Sequence, residues 1–420
     1  PRTFSPHSST NCDIPSAYFG HRASPDVSSA PYGVSMAMQE VSPGAQDGTK
    51  RSERWASTMD GTATAGTPEG VRTAHSDSIA AAASDCVLDR EEREGDDETQ
   101  LSTDATRIAG AGNRLFEEPP DHLRTCFERD RDRILHSTSF RRLAGKTQVF
   151  VFPEDHQRSR LTHALEVAQV ATSIARALRL NVALAEAIAL GHDCGHGPGG
   201  HASEDALSPY LEGGYDHAVW GADVALAPLN LCIETLDGIR NHSWSRPAPS
   251  TPEGEVVSWA DRIAYVCHDF EDAEHAGLVK VGDLPLLVRE RCGTTRREQL
   301  AAFINGLLSA TTRTGRVSME EPVAEALAAF RAFNYEDIYL RPASVEQARR
   351  VIEMLRALVD HITVNPQHLP DDADMSGVDA TRVSAVGYVG GMTDRFACRS
   401  AIRLLGWPAD RLPAGLDLRP

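Results

Sequence analysis

The sequence predicts an all-α fold, and two observations lead to this prediction. From about residue 120 nearly to the C-terminus, apolar residues recur at the three- and four-residue spacing of helices that bury one face. No segment shows a convincing alternation of apolar and polar residues, and no internal repeat is found. We therefore expect a helical core with additional C-terminal helices, preceded by a disordered N-terminal segment.

Residues 1–110 form the segment that is expected to be disordered. Ser, Thr, Ala, Gly, Pro and Asp dominate its composition, and an acidic run extends from Asp89 to Glu98. Such a composition cannot bury enough apolar surface to offset the entropy lost on folding. We divide the rest into a core at residues 111–280 and a helical region at residues 281–420 packed on it. Deletion of residues 1–105 is expected to leave activity intact.

The helical part contains eight segments whose apolar spacing predicts helices. Segment 161–178 is apolar on nearly all sides, which is typical of a helix inside a core. Segment 182–191 ends at His192-Asp193, where a glycine-rich stretch breaks the helix. Segment 253–273 has the clearest single apolar face. The other predicted helices cover residues 124–139, 295–311, 320–333, 344–360 and 385–405.

The composition argues against several classes of protein. A net charge of -18 makes nucleic acid an unfavourable main partner. No run approaches the roughly 20 apolar residues of a membrane span, and the N-terminus lacks the apolar stretch of a secretory signal. The eight cysteines are scattered and form no Cys-x-x-Cys pair, which favours reduced thiols. We expect a cytoplasmic protein.

Four residues on helical segments offer the ligands that a divalent metal binds. Two imidazoles and two carboxylates can hold such an ion and leave positions open for water, which then becomes a hydrolytic nucleophile. A single histidine is more often an ordinary core residue. An adjacent His-Asp pair before a glycine-rich break is harder to explain by helix capping. The set consists of His163, His192, Asp193 and Asp261.

A polar row continues from Asp261 along its helix. Asp261, Tyr265 and Asp269 are spaced four residues apart and share one face, opposite an apolar face. This row could be a solvated stripe, but such stripes usually carry Lys and Glu. The composition favours a pocket wall with a metal at one end and groups that bind hydroxyls beyond it.

A second pair follows the glycine-rich stretch. His201 and Glu204 are three residues apart, and would be neighbours on a helical turn. A glutamate that accepts from one ring nitrogen would fix the tautomer and raise the basicity of the other. A helix N-terminus with Glu in its first turn explains the pair equally well. Cations that could neutralise phosphate are Arg141, Arg142, Lys146, Arg160 and Arg262.

Five ordered motifs resemble one known family, the dGTPases, which are deoxynucleoside triphosphate (dNTP) triphosphohydrolases. The order His, His-Asp, Asp is that of the HD-domain metal-dependent phosphohydrolases to which they belong. The resemblance covers about residues 120–405 and implies a helical HD-domain core. It also implies cleavage of a dNTP to deoxynucleoside and inorganic triphosphate. The motifs are Phe140–Val149, Arg158–Val167, Gly191–Glu204, Ser258–Tyr265 and Phe333–Tyr339.

The resemblance also implies roles for individual residues. It gives the four residues above as metal ligands, and His201 with Glu204 as the catalytic pair. Tyr335 and Tyr339 lie in a motif that approaches the sugar, and the choice between them stays open. The implied substrate contacts are Gln148, Arg160, His196, His217, Arg262, Tyr265 and Asp269.

Two departures from the family pattern bear on base specificity. Gly199 stands where relatives commonly have Phe, and Ala218 stands where they often have a polar residue. The implied cofactor is a divalent ion, which could be Mn, Fe, Mg, Co or Zn. The implied partners are a dNTP substrate, an allosteric nucleotide and further copies of the chain in a homo-oligomer.

Three other functions remain open at this point. The same four ligands could serve a nucleoside 5′-monophosphatase or a cyclic-nucleotide phosphodiesterase. The protein could also be a nucleotide sensor without turnover, although binding alone would not require the pair His201 and Glu204. Whether His201 acts as an acid or a base is open as well.

Overall fold

The computed structural model describes residues 52–53, 55–56, 61–63, 66–79, 87–153 and 156–415. The chain divides into two compact units, residues 1–84 and residues 85–420. In the first unit, Thr62 and Thr73 form an isolated antiparallel bridge. Most of the segment predicted to be disordered, residues 1–110, lies outside the described residues.

The second unit is helical, as the sequence predicts. Its described residues form fifteen α-helices and no strand beyond isolated bridges. None of these helices is long and apolar enough to cross a membrane. The helices are α1 Arg90–Gln100, α2 Cys126–His136, α3 Thr138–Arg142, α4 Arg160–Leu178, α5 Val182–Gly191, α6 Ala202–Leu207, α7 His217–Trp220, α8 Ile233–Asn241, α9 Pro252–His275, α10 Leu286–Cys292, α11 Arg296–Thr314, α12 Glu321–Asn334, α13 Pro342–Val364, α14 Val378–Gly390 and α15 Asp394–Leu405.

The acidic run in the N-terminal segment forms helix α1, so the expectation of disorder was wrong there. Asp89 accepts a hydrogen bond from the backbone of Glu92, and the Glu92 side chain accepts one from the backbone of Asp89. This capping box satisfies two amides that the first helical turn leaves free. Arg90 is buried and pairs with Glu94 one turn later. Local capping and pairing therefore order a segment whose composition suggests disorder.

Helices α4, α5 and α9 pack against one another in the first hydrophobic cluster. Val167, Val170 and Ile174 of α4 are fully buried, which confirms the prediction of a core helix. Burial of each such side chain stabilises the fold by roughly 1.5–3 kcal/mol. The packing brings polar residues on the inner faces of all three helices to one place. Helices α10–α12 belong to the same cluster, and the proposed division at residue 280 stays a prediction.

Helix α13 forms a second cluster with α6, α14 and α15. The sequence predicted one helix over residues 385–405, but the structure has two. Helix α14 ends at Gly390, and α15 begins at Asp394 after the N-cap Thr393. Similarly, Ser137 ends α2 and caps α3 by accepting from the Phe140 amide. Both breaks are made by capping residues that the apolar spacing does not reveal.

Candidate active site

The four proposed metal ligands converge between α4, α5 and α9. Asp261 Oδ1 lies 3.0 Å from His163 Nε2 and 3.7 Å from His192 Nε2. Asp193 Oδ1 lies 3.5 Å from His192 Nε2, and its Oδ2 lies 4.0 Å from His163 Nε2. The two nitrogens and the carboxylate oxygens therefore surround one small volume. His163 and Asp261 lie within α4 and α9, and His192 and Asp193 lie in the turn that directly follows α5.

The tautomer of His192 suits a metal ligand. His192 is the C-cap of α5, and its Nδ1 donates to the carbonyl of Ala189 at 2.6 Å. Nε2 then presents a lone pair toward the other ligands. It is buried and has no hydrogen-bond partner in the described structure. Since an unpaired buried nitrogen is costly, the donor set fits a divalent metal.

Both carboxylates of the set are held in the ionised form. Burial alone would favour the neutral acid, but the hydrogen bond from His163 keeps the pKa of Asp261 well below its ordinary value. Arg160 does the same for Asp193, whose pKa also lies well below its ordinary value in spite of burial. Metal binding requires deprotonated ligands, so this charge state favours it.

These groups open onto a cavity of about 920 Å³. Its walls include every residue predicted for the site except His192, whose ring is fully buried. Nucleotide-sized ligands occupy cavities of this order. The sequence therefore identified residues from six separate segments that the fold brings to a single cavity.

Arg160 lies beside the proposed metal ligands with part of its guanidinium group unpaired among the described residues. It is 2% exposed, and its NH1 group donates to Asp193 Oδ2 at 2.8 Å. Its Nε and NH2 groups have no hydrogen-bond partner among the described residues. A Cβ on Gly200, which has a φ of +64°, would lie 2.7 Å from NH2, so glycine permits this close approach. Unpaired guanidinium donors in a cavity are suited to phosphate.

Glu204 pairs with His217 and not with His201, so the predicted His201–Glu204 hydrogen bond was wrong. Glu204 Oε1 accepts from His217 Nδ1 at 2.5 Å and from the His217 amide at 3.0 Å. The short helix α7 presents His217 to Glu204, whereas the His201 ring is exposed at the N-cap of α6. Spacing along one turn could not reveal a partner 13 residues away.

The electrostatics of this pair are set by burial and by the hydrogen bond. Burial would raise the pKa of Glu204, but the bond from His217 lowers it to about 2. The same bond raises the pKa of His217 in spite of the burial of its ring. His217 therefore carries a second proton more readily than His196 or His201, whose pKa values are lowered. Although His201 is exposed at the cavity wall, desolvation of its ring by the surrounding protein, together with the charge of Arg160, lowers its pKa to about 4.

His196 lies between the metal ligands and this pair. Its ring stacks on His217 with centroids 3.8 Å apart, and its Nε2 lies 3.2 Å from Asp193 Oδ1. Its Nδ1 is buried without a partner in the described structure. Burial holds the pKa of His196 well below its ordinary value. A neutral imidazole at this place can bind a phosphate oxygen without repelling the metal.

The sequence analysis missed His242. This residue is the C-cap of α8, and its Nδ1 lies 2.8 Å from the carbonyl of Ile239, as His192 does at the end of α5. Its Nε2 lies 3.3 Å from His217 Nε2, and its ring lies against His192. A histidine directly after an apolar helix was the available signal, but α8 itself was not predicted.

The row on α9 continues along the cavity wall from Asp261, at the proposed metal site, through Tyr265 to Asp269. Asp269 Oδ2 accepts from the Tyr339 hydroxyl at 2.5 Å, while Oδ1 is buried without a partner among the described residues. Burial raises the pKa of Asp269 to about 7. Tyr335 instead lies against Arg331, so Tyr339 is the tyrosine that contacts the row.

Two side chains that the sequence analysis missed, Arg331 and Trp244, contact predicted site residues at this end of the cavity. Arg331 Nε donates to the Tyr265 hydroxyl at 2.9 Å. The Arg262 guanidinium lies 3.7 Å from the centre of the Trp244 ring. Gln148 also lines the cavity, and its Oε1 has no partner in the described structure. These cations and amides leave donors and acceptors available to a ligand.

Gly199 does not leave an open wall, because another side chain fills the place. A Cβ built on Gly199, which has a φ of +75°, would lie 2.5 Å from Val351 Cγ1. Val351 is buried and lines the cavity. Ala218 is fully buried and does not line the cavity. The departure at Gly199 is therefore coupled to a valine on α13.

Two family models match the chain. The HD domain matches residues 160–266, which contain the four proposed metal ligands. The phosphohydrolase-associated domain matches residues 317–403, which contain α12–α14 and most of α15. The HD match begins at Arg160 and confirms an HD-domain helical core, while the proposed core bounds of residues 111–280 stay a prediction.

Curated relatives carry the name deoxyguanosinetriphosphate triphosphohydrolase-like protein. The one from Caldanaerobacter subterraneus subsp. tengcongensis is 41% identical over 308 residues, which cover 71% of this chain and 90% of the relative. One from Clostridium perfringens is 40% identical, covering 68% and 88%. One from Syntrophus aciditrophicus is 36% identical, covering 73% and 94%.

Proposed function

Since this chain belongs to the HD-domain phosphohydrolase family of deoxyguanosinetriphosphate triphosphohydrolase-like proteins, we propose that it hydrolyses dGTP or another dNTP. The products are the deoxynucleoside and inorganic triphosphate. The supporting observation is a single cavity with anion-binding donors of Arg160 beside the metal ligands and hydroxyl-binding groups at the other end.

The cofactor is a divalent metal ion, as in other HD-domain phosphohydrolases. We assign its ligands as His163, His192, Asp193 and Asp261. When bound, the ion supplies Lewis-acid activation of a water and of an α-phosphate oxygen. Imidazole nitrogens favour transition metals, while the carboxylates also suit harder ions.

The remaining phosphate contacts come from cations and neutral rings. Arg160 donates from its unpaired Nε and NH2 groups, and Arg262 adds a second positive charge. His196 donates to a phosphate oxygen through Nδ1, the ring nitrogen without a partner among the described residues, when that nitrogen carries the proton. Donors that are already in place stabilise the charge that develops on the phosphates as the bond to the 5′-oxygen breaks.

Proton transfer falls to the histidines that face the cavity. Glu204 orients His217 and raises its pKa, so that His217 can protonate the leaving 5′-oxygen. His201 is exposed to the cavity in the neutral form and is placed to accept the proton of the attacking water. His201 thus keeps its proposed catalytic role, whereas Glu204 orients His217 and not His201 as the sequence had predicted.

The deoxyribose is positioned by the far end of the cavity. Asp269 Oδ1 has a free lone pair for the 3′-hydroxyl, and Tyr339 fixes the carboxylate by bonding its other oxygen. Tyr265 and Gln148 contribute the adjacent walls. Because a ribonucleotide also has a 3′-hydroxyl, the contact with Asp269 does not by itself distinguish deoxyribose from ribose.

The test is incubation with each of the four dNTPs and Mn²⁺, followed by separation of the products. We expect inorganic triphosphate and deoxynucleoside in equal amounts. Release of monophosphate, diphosphate or single phosphates would contradict the proposal. Hydrolysis of dGMP or of a cyclic nucleotide in place of dNTPs would favour one of the other HD-type activities.

His201→Ala separates catalysis from binding. We expect the variant to bind dNTP while its hydrolysis falls by about 10² or more. Unchanged hydrolysis would show that His201 is not catalytic. Binding of dNTP without turnover by the unmodified protein would favour a nucleotide sensor.

A homo-oligomer and an activating nucleotide at a second site stay predictions. Sedimentation measures the oligomeric state, and hydrolysis rates with and without a second dNTP measure the activation. A monomer whose rate is independent of the second nucleotide would contradict them.

A further inference from the structure

The glycine-rich loop, residues 195–200, carries His196 and leads into His201. The side chains of Tyr215, Ser203 and Asp394 each form a hydrogen bond with its backbone. Gly195 O accepts from the Tyr215 hydroxyl at 2.7 Å, and the Gly197 amide donates to Ser203 Oγ at 3.0 Å. The Gly199 amide donates to Asp394 Oδ1 at 2.8 Å. The first two partners lie 20 and 6 residues away in the sequence, but Asp394 lies 195 residues away.

Asp394 uses both carboxylate oxygens. It is the first residue of α15 and is 5% exposed. Its Oδ2 accepts from Thr147 Oγ1 at 2.6 Å. Thr147 precedes Gln148 and pairs with Ser159, the residue before Arg160. The carboxylate therefore joins the glycine-rich loop to a second segment that lines the cavity.

Lys146 provides a parallel connection to the C-terminal helices. Its Nζ donates to the His196 carbonyl and, at 3.2 Å, to the Gly390 carbonyl at the end of α14. The side chain is 3% exposed. The backbone of His196 is thus linked to α14, just as Gly199 is linked to α15.

The loop needs such support because its conformation is not held by regular structure. Gly199 and Gly200 both have positive φ values, +75° and +64°, which few other residues adopt. The Gly199 amide lies outside any helix and must find a partner when it is not in water. Without the carboxylate, the loop would lose that partner and could shift relative to the metal ligands. A displacement of about 1 Å can reduce a rate by roughly 10².

We propose that Asp394 is a positioning residue, which holds the glycine-rich loop so that His196 and His201 face the substrate. Its activity readout rests on the proposed function. This role gives the C-terminal region, which matches the phosphohydrolase-associated domain, a direct part in the hydrolysis.

The test compares two substitutions at each end of the bridge. Asp394→Ala removes both acceptors, and we expect kcat to fall by about tenfold to a hundredfold with less than a threefold change in KM. Asp394→Asn keeps an oxygen for the Gly199 amide and should restore much of the rate. Thr147→Val removes one hydrogen bond and should slow the reaction, whereas Thr147→Ser keeps it.

The double variant Asp394→Ala/Thr147→Val should be no slower than Asp394→Ala, because both changes break the same bridge. Asp379→Ala is the matched control, since this aspartate lies exposed in the first turn of the neighbouring helix α14. Its rate should stay within twofold of the unmodified protein. Multiplicative losses in the double variant would contradict a shared bridge.

Hydrogen exchange of the peptide 195–203 supplies a readout that does not depend on activity. We expect faster exchange in Asp394→Ala and Thr147→Val at unchanged metal content, and no change in Thr147→Ser. If Asp394→Ala does not fold, the two Thr147 variants decide. Unchanged exchange together with unchanged kcat would overturn the proposal.

The two proposals fail in different ways. If the unmodified protein releases a product other than triphosphate, the proposed function is wrong, and the same variants are compared on that product. If it turns over no phosphate ester, exchange alone decides the role of Asp394. If dNTP hydrolysis is present and equal in all variants, only the positioning role is wrong.

Discussion

The two ends of the cavity are built in different ways. The metal end takes its ligands from α4, α5 and α9, whose side chains form the first hydrophobic cluster. The sugar end adds side chains from α12, from the π-helical turn Tyr335–Tyr339 and from the segment that contains Gln148. In the proposed function, the groups for bond cleavage are therefore fixed by the core. The groups for recognition are assembled from several later elements.

Removal of a ligand at the metal end should give the largest effect. Asp261→Ala takes away a carboxylate that lies within 4 Å of both imidazoles. We expect loss of bound metal and a fall in dNTP hydrolysis by about 10³ or more. Elemental analysis and product release measure the two effects. His275→Ala, at the exposed end of the same helix, is the control, and full metal content in Asp261→Ala would refute the assignment.

Two N-terminal deletions test whether the segment before α2 stabilises the helices of the metal end. Thr106 donates to Glu253 through its amide and hydroxyl, and Ser102 donates to the carbonyl of Arg179 at the end of α4. Deletion of residues 1–105 removes α1, Ser102 and the buried Ala105 but keeps Thr106, so we expect a loss of stability, while the expectation of intact activity stays a prediction.

We expect deletion of residues 1–105 to lower the free energy of unfolding by roughly 2–5 kcal/mol, as the loss of buried packing does elsewhere. Deletion of residues 1–86 keeps these contacts and should leave it nearly unchanged. Denaturant titration measures both. Equal stability of the two truncated proteins would show that α1 does not support the core.

Loss of one hydroxyl at the sugar end should have a smaller effect. Tyr339→Phe removes the hydrogen bond to Asp269, and we expect kcat/KM for dNTP to fall about tenfold at unchanged metal content. Tyr210→Phe is the matched control, because this hydroxyl bonds Asp360 Oδ1 at 2.8 Å outside the cavity. An equal loss in the control would point to stability instead of recognition.

The smallest expected effect is the change with pH of stability and of KM that arises from Asp269 at the sugar end. Burial raises the pKa of Asp269 to about 7, so the folded protein keeps a proton there that the unfolded chain releases near pH 4. This contribution to stability is full below pH 4 and is lost as pH rises through about 7.

The ionised carboxylate accepts the 3′-hydroxyl more strongly. We therefore expect KM for dNTP to fall severalfold between pH 6 and pH 8, and Asp269→Asn to abolish this change. Steady-state kinetics across that range measures it. A KM profile that is the same in both proteins would contradict the assigned role of Asp269.

The difference between the two ends also explains what the sequence could predict. Helices α4, α5 and α9 have clear apolar faces, and the few polar residues within or directly after these helices stand out, so the metal ligands could be proposed from the sequence. The pairing of Glu204 with His217 depends on α7, a helix of four residues without a periodic signal. His242 and Arg331 reach the cavity only through tertiary packing. Helix α1 was missed because capping, and not apolar spacing, stabilises it.

In the proposed function, helix α9 fixes the distance between the metal and the sugar. Asp261 and Asp269 lie eight residues apart on one uninterrupted helix, which separates them by about 12 Å along its axis. No hinge lies between them, so the distance from the reacting phosphate to the hydroxyl-binding end cannot adjust to the ligand. A nucleotide whose sugar lies at that distance from the reacting phosphate fits the fixed spacing of α9. A nucleotide without a 3′-hydroxyl leaves Asp269 Oδ1 without a partner.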